Sequence, residues 1–134
     1  MPEKIEGRAA ELIEDKNFAQ VATTKEDGSP FVTPVWVDHD GEHVVFNTAE
    51  GRDWPANVRR TGKIAINVLN HDNPYEYVYI EGTLAEDTTD GADDHIDKLA
   101  KKYMDVDEYP FRKDDETRLI IKVWPDKIIL NSPS

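Results

Sequence analysis

Phe18-Ala19-Gln20-Val21-Ala22-Thr23-Thr24, Lys25-Glu26-Asp27-Gly28-Ser29-Pro30 and Phe31-Val32-Thr33-Pro34-Val35-Trp36-Val37 read in succession as strand, turn and returning strand. Asp-Gly between two β-prone runs is a strong short-range hairpin signal. Pro34 has no N–H to give to a ladder, so its strand belongs at a sheet edge or carries a bulge there. A second hairpin follows, with residues 38–42 as its turn and 43–48 as the next strand.

The rest of the chain continues in the same style. Residues 63–69 alternate apolar and polar side chains, which predicts a strand. Residues 75–86 predict a long strand bent at Gly82, and residues 117–124 and 127–130 predict two more, separated by Pro125-Asp126. Between these lie three helical patterns. Ile5, Ala9, Leu12 and Ile13 share one face of a short N-terminal helix. A helix of about ten residues lies within 49–62, with Pro55 suited to its first position and Gly62 to its end. The third covers about 92–104, with Ile96, Leu99, Ala100 and Tyr103 as its apolar stripe. About six strands, mostly joined by hairpins, with three added helices predict a mainly β protein: a small antiparallel barrel, not a parallel α/β sheet.

The 134 residues suit a single domain over 1–134. With 38% hydrophobic and 33% charged residues, the apolar supply for a core is limited. No stretch approaches the ~20 apolar residues of a membrane span. The acidic start, Met1-Pro2-Glu3-Lys4-Ile5-Glu6, lacks the apolar run of a secretory signal. Cysteine is absent, which removes disulfides, thiolate metal sites and cysteine nucleophiles, and a cytoplasmic location is expected. A net charge of −12, from 28 acidic and 16 basic residues, repels phosphate backbones and argues against nucleic-acid binding.

The order of elements and three local signatures resemble the pyridoxamine-phosphate-oxidase-like split-barrel family, in its deazaflavin (coenzyme F-420) oxidoreductase branch. The first signature is residues 21–36, with Val21-Ala22-Thr23-Thr24, Asp27-Gly28-Ser29-Pro30 and Thr33-Pro34-Val35-Trp36. The second is Phe46-Asn47-Thr48-Ala49-Glu50-Gly51-Arg52 followed by Asn57-Val58-Arg59-Arg60. The third is Tyr77-Val78-Tyr79-Ile80-Glu81-Gly82-Thr83, then Lys102-Tyr103-Met104 and Tyr109-Pro110-Phe111-Arg112.

This resemblance implies a six-stranded split barrel and a homodimer with two equivalent cofactor sites at the subunit interface. It implies a role for Asn47, Thr48 and Arg52 toward a cofactor phosphate, with Trp54 and Asn57 beside them. Thr33, Val35 and Trp36 become neighbours of a flavin or deazaflavin ring, and Tyr75, Glu76 and Tyr77 approach from the partner subunit. Many relatives carry a lysine two residues after the arginine, where this chain has Trp54. Arg59, Arg60 or Lys63 are then left to add positive charge to Arg52. The choice between FMN and coenzyme F-420 stays open.

The implied activity is hydride transfer from reduced cofactor to a small organic substrate. A non-catalytic flavin, deazaflavin or haem carrier of the same fold is the alternative. A hydride carrier brings its own reactivity, so no catalytic side chain is required, and a bound water or Tyr77 is a candidate proton source. Read for their residues alone, Trp36, Trp54 and the tyrosines at 75, 77 and 79 suit packing as well as ligand contact. The four histidines show no metal-ligand spacing, no serine sits in a nucleophile elbow, and no phosphate-binding glycine motif is present. The aspartates at 93, 94 and 97 and the acidic run 105–116 read as solvated surface.

Overall fold

The computed structural model describes residues 1–133. Among them, seven strands form one curled antiparallel sheet, ordered β2-β1-β5-β6-β7-β4-β3, and three helices pack around it. The strands are β1 (Ala19–Thr24), β2 (Pro30–Val35), β3 (Asp38–His39), β4 (Val44–Ala49), β5 (Lys63–Leu69), β6 (Tyr77–Thr88) and β7 (Arg118–Asn131). The helices are α1 (Gly7–Glu14), α2 (Asp53–Thr61) and α3 (Ala92–Met104). This is the expected split-barrel class, with one strand more than the six anticipated. The addition is β3, two residues long, which pairs with β4 inside what reads as a turn.

Pro34 lies on an edge, since β2 has β1 on one side and no strand on the other. Gly62 closes α2 in the left-handed conformation at φ 74°, its N–H reaching Val58 O at 2.6 Å. The helix opens two residues before Pro55, at Asp53, whose carboxylate suits the positive helix end. The long strand begins at Tyr77, not Tyr75. Tyr75 and Glu76 belong to the preceding turn, where Glu76 N–H reaches Asn73 O at 2.9 Å.

The two C-terminal strands expected around Pro125-Asp126 are one strand. Pairing of β4 with β7 ends at Val123, so beyond it β7 has only β6 as neighbour. Pro125 also sits opposite Gly82, at a register shift where the ladder is already interrupted. A missing N–H therefore breaks little. Gly82 is required there for space: a methyl group on its Cα would overlap Val123 Cγ1 and lie 3.0 Å from Trp124 O.

The inward faces of the sheet, with α1 and α2, enclose the core, in which Leu12, Ile13, Phe46, Ile66, Ile80 and Ile121 are fully buried. α3 packs on β7 and β4 from the other face and buries Ile96, Leu99 and Ala100. No helix among the described residues is long and apolar enough to cross a membrane.

Candidate functional site

β2 leaves the barrel at Trp36, and the corner after it is held from α3. Tyr103 donates its hydroxyl to Asn17 O at 2.7 Å and accepts Val37 N–H at 3.1 Å. Burial pushes the Tyr103 phenol up to about 12. Lys102 adds hydrogen bonds to Ile13 O and Val37 O at 2.6 and 2.8 Å, and burial lowers its ammonium to about 8. These contacts fix Trp36, whose ring lies flat on Tyr103 at 5.1 Å and 7°.

An aromatic wall extends from that stack. Phe18 stacks on Tyr103 at 5.5 Å, Tyr109 meets Trp36 edge-on at 6.0 Å, and Phe111 meets Tyr109 edge-on at 5.7 Å. Phe18 and Phe111 remain 52% and 60% exposed, so this wall presents apolar surface to an incoming group. They line a cleft of about 280 Å³ together with Pro34, Val35, Trp36, Asn47, Arg52, Trp54, Ile96, Tyr109 and Arg118. A second section of about 290 Å³ adjoins it, sharing Pro34, Val35, Arg52 and Trp54 and adding Phe31, Thr33 and Asp53. Together the two sections reach the roughly 300–1,000 Å³ typical of small-molecule sites.

Two arginines stand in this cleft. Arg52 is half exposed and lies immediately before α2. Arg118, the first residue of β7, has its side chain only 3% exposed, and its guanidinium lies 5.2 Å from the Tyr109 ring centre. Glu116 joins them, at 2.9 Å from Arg118 Nη1 and 3.6 Å from Arg52 Nη2. The carboxylate is largely buried, so this member of the acidic run is not solvated surface. Asp93, exposed as expected, and Asp97 take Arg112 at 2.9 and 2.7 Å, and Asp97 also accepts the Tyr109 N–H at 2.9 Å. Those contacts tie the loop carrying Tyr109, Phe111 and Glu116 to α3.

Asn47 connects the cleft to a buried polar chain. Its Oδ1 accepts Arg118 Nε at 2.9 Å, and its Nδ2 meets Ala92 O at 2.8 Å and His95 Nδ1 at 3.1 Å. Arginine only donates, so the amide oxygen must face it and the NH₂ must face His95. The His95 Nδ1 is therefore the acceptor, and the ring proton sits on Nε2, 3.3 Å from Asp38 Oδ2. Burial opposes ionisation of Asp38, but hydrogen bonds from His95, the His39 amide and Lys98 outweigh it and hold the carboxyl below its ordinary range.

The structure thus gathers Val35, Trp36, Asn47, Arg52 and Trp54 in one cleft and Thr33 in the adjoining section. Thr48 is elsewhere, because neighbours on a strand point to opposite faces. It is fully enclosed, and its hydroxyl has no partner among the described residues. Asn57 lies in a separate recess, donating to Thr23 Oγ1 at 3.1 Å and accepting from Arg60. Tyr75, Glu76 and Tyr77 do not line the cleft within one protomer. Glu76 holds Arg8 at 2.6 Å, and that bond, with those from Asn70 and Ser132, lowers its carboxyl to about 2. Of the cations set beside Arg52 in sequence, Arg59 is committed to Glu50 and Asp87, and Arg60 to Asn57 and Thr24 O. The second cation is Arg118, whose place at the head of the last strand carries no local signal.

A family model described as pyridoxamine 5′-phosphate oxidase matches residues 5–132, nearly the whole chain. The chain belongs to the pyridoxamine 5′-phosphate oxidase family. Among solved structures of this fold, an F420 reductase is 28% identical, with a TM-score of 0.79 over 89% of this chain and 94% of its own. Two others share the fold at lower identity. HupZ of Group A Streptococcus is 20% identical with a TM-score of 0.67, covering 96% of this chain and 97% of its own. General Stress Protein 26 of Bacillus anthracis is 16% identical with a TM-score of 0.66, covering 92% and 91%. No curated protein matches the chain.

Proposed function

We propose that this member of the pyridoxamine 5′-phosphate oxidase family is an oxidoreductase whose cleft holds a flavin or deazaflavin, FMN or coenzyme F-420, and that it works as a homodimer. The observation that carries this reading is the convergence of Arg52 and Arg118 on a cleft walled by Trp36, Tyr109, Phe18 and Phe111. A flat, apolar slot with a cationic end is what a planar ring bearing a phosphate requires. Likeness to an F420 reductase at 28% identity supports the deazaflavin option.

When bound, such a cofactor supplies hydride chemistry to a small conjugated substrate. This chain's residues bind and orient. Arg52 and Arg118 hold the anionic group, and the amino end of α2 lends further positive potential beside Arg52. Trp36, pinned by Tyr103, keeps one wall rigid, so that the ring and substrate meet in a fixed attitude. Phe18 and Phe111 exclude water from that wall once covered. In the dimer, Tyr75, Glu76 and Tyr77 of the second subunit complete the site.

The test is fluorescence titration of the protein with FMN and, separately, coenzyme F-420, in wild type and Arg52→Ala. Micromolar binding of one cofactor, weakened at least about tenfold by the variant, is expected, since a charge-assisted contact is worth about 1.5–3 kcal/mol. Absence of binding by both cofactors refutes the reading. Consumption of reduced cofactor in the presence of an enone then separates an enzyme from a carrier.

A further inference from the structure

Glu116 is an acidic side chain placed where an anionic ligand group is expected. Its carboxylate lies between Arg118 Nη1 at 2.9 Å and Arg52 Nη2 at 3.6 Å, with its side chain 12% exposed. It is not a chance surface contact. Glu116 N–H closes a turn onto Lys113 O at 3.2 Å, and the carbonyl of Thr117 accepts Glu50 N–H at 3.0 Å. The same loop is clamped to α3 through Arg112 and the Tyr109 amide. On its other side Arg118 is fixed by Asn47 Oδ1. Arg118 and Glu116 cannot part without releasing these bonds, whereas Arg52 is half exposed and meets the carboxylate through the 3.6 Å contact.

Two guanidinium groups share the internal carboxylate of Glu116, and the other charged side chain lining the cleft, among the described residues, is Asp53, which is also negative. The two carboxylates offset the two arginines, so the cleft has no surplus positive charge for the second charge of a ligand. A phosphomonoester carries about −1.5 to −2 at neutral pH, whereas a phosphodiester carries a single charge. We propose that Glu116 is a charge-selecting residue of this cleft, which matches the arginine pair to a phosphodiester and against a phosphomonoester. This rests on the flavin-site reading above and takes it one step further. FMN ends in a monoester, while coenzyme F-420 carries its phosphate as a diester, so at the phosphate position Glu116 favours the second.

Three probes with one ring system isolate the charge: riboflavin, its 4′,5′-cyclic phosphate and FMN, with zero, one and about two negative charges. Their dissociation constants are measured by flavin fluorescence for wild type and Glu116→Gln. Interaction with one unit charge a few ångströms away in a partly exposed site corresponds to roughly tenfold in affinity. Glu116→Gln should move the ratio of the two constants about tenfold toward FMN and leave riboflavin unchanged. An unchanged ratio overturns the proposal while the flavin site stands. If Glu116→Gln does not fold, wild type carries the test: raising the pH from about 5 to about 8 takes FMN from one negative charge to about two, its affinity relative to the cyclic phosphate should not rise, and a roughly tenfold rise overturns the proposal. Failure of all three probes to bind refutes the flavin-site reading itself, and the charge selection with it.

Discussion

Replacing Asn47 by Ala removes three contacts at once from a site that is 8% exposed. Arg118 Nε loses its acceptor, Ala92 O its donor, and His95 Nδ1 its partner. A buried polar group left unsatisfied costs about 1–3 kcal/mol, with arginine toward the upper end, although water entering from the cleft recovers part of it. The expected loss of stability is about 3 kcal/mol. For a chain of this size that lowers Tm by about 10 °C. The assay is urea unfolding and a thermal melt of ligand-free protein. Thr48→Val is the paired control, because it alters the next residue, shares the same strand and removes a hydroxyl that has no partner among the described residues. It should be neutral or slightly stabilising. If Asn47→Ala costs less than about 1 kcal/mol without ligand, Asn47 is not the keystone of the Arg118–His95 chain. Its amide would then be free to serve a phosphate, as its sequence position implies.

Gly82→Ala should destabilise by about 1–3 kcal/mol or more, read from the urea midpoint, because the new methyl overlaps Val123 Cγ1 beneath the bulge. Glu76, held by Arg8, titrates well below its ordinary 4.5, at about 2. Its contribution to stability is therefore complete above pH 4.5 and declines as pH falls toward 2, and Glu76→Gln should show a flatter profile across that window. Tyr103→Phe removes a hydroxyl that bridges Asn17 O and Val37 N–H. It should cost about 1–2 kcal/mol in the melt and weaken flavin binding by loosening Trp36.

Much of the fold was legible because its signals are local. Asp27-Gly28 marks the first hairpin, Gly62 ends α2, and the apolar stripe of α3 sits on the residues that pack. Pro125 misled because a proline in a run reads as a break, and only the pairing partner reveals that its N–H is not needed. The candidate site was legible, through the family resemblance, in Val35 and Trp36 at the end of β2, Asn47 in β4 and Arg52 before α2. Arg118, Tyr109 and Phe111 reach the cleft, and Glu116 its two arginines, from the far end of the chain. Their positions follow from β7 pairing beside β4, which no spacing in the sequence encodes. Glu116 was hidden further by its company, since one carboxylate in an acidic run looks like its solvated neighbours.

The two ends of the sheet differ in how they meet water. An open strand invites another chain to extend it without limit, and both borders here discourage that by different means. β3 offers only two residues, too few to template a partner. β2 is six residues long, but residues 30, 32 and 34 direct their backbone nitrogens the same way, and two of those three are prolines. A chain attempting to add itself along that border finds one donor where three would be needed. The edge is left available to a small ligand, which needs a single hydrogen bond, while remaining closed to fibrous self-association.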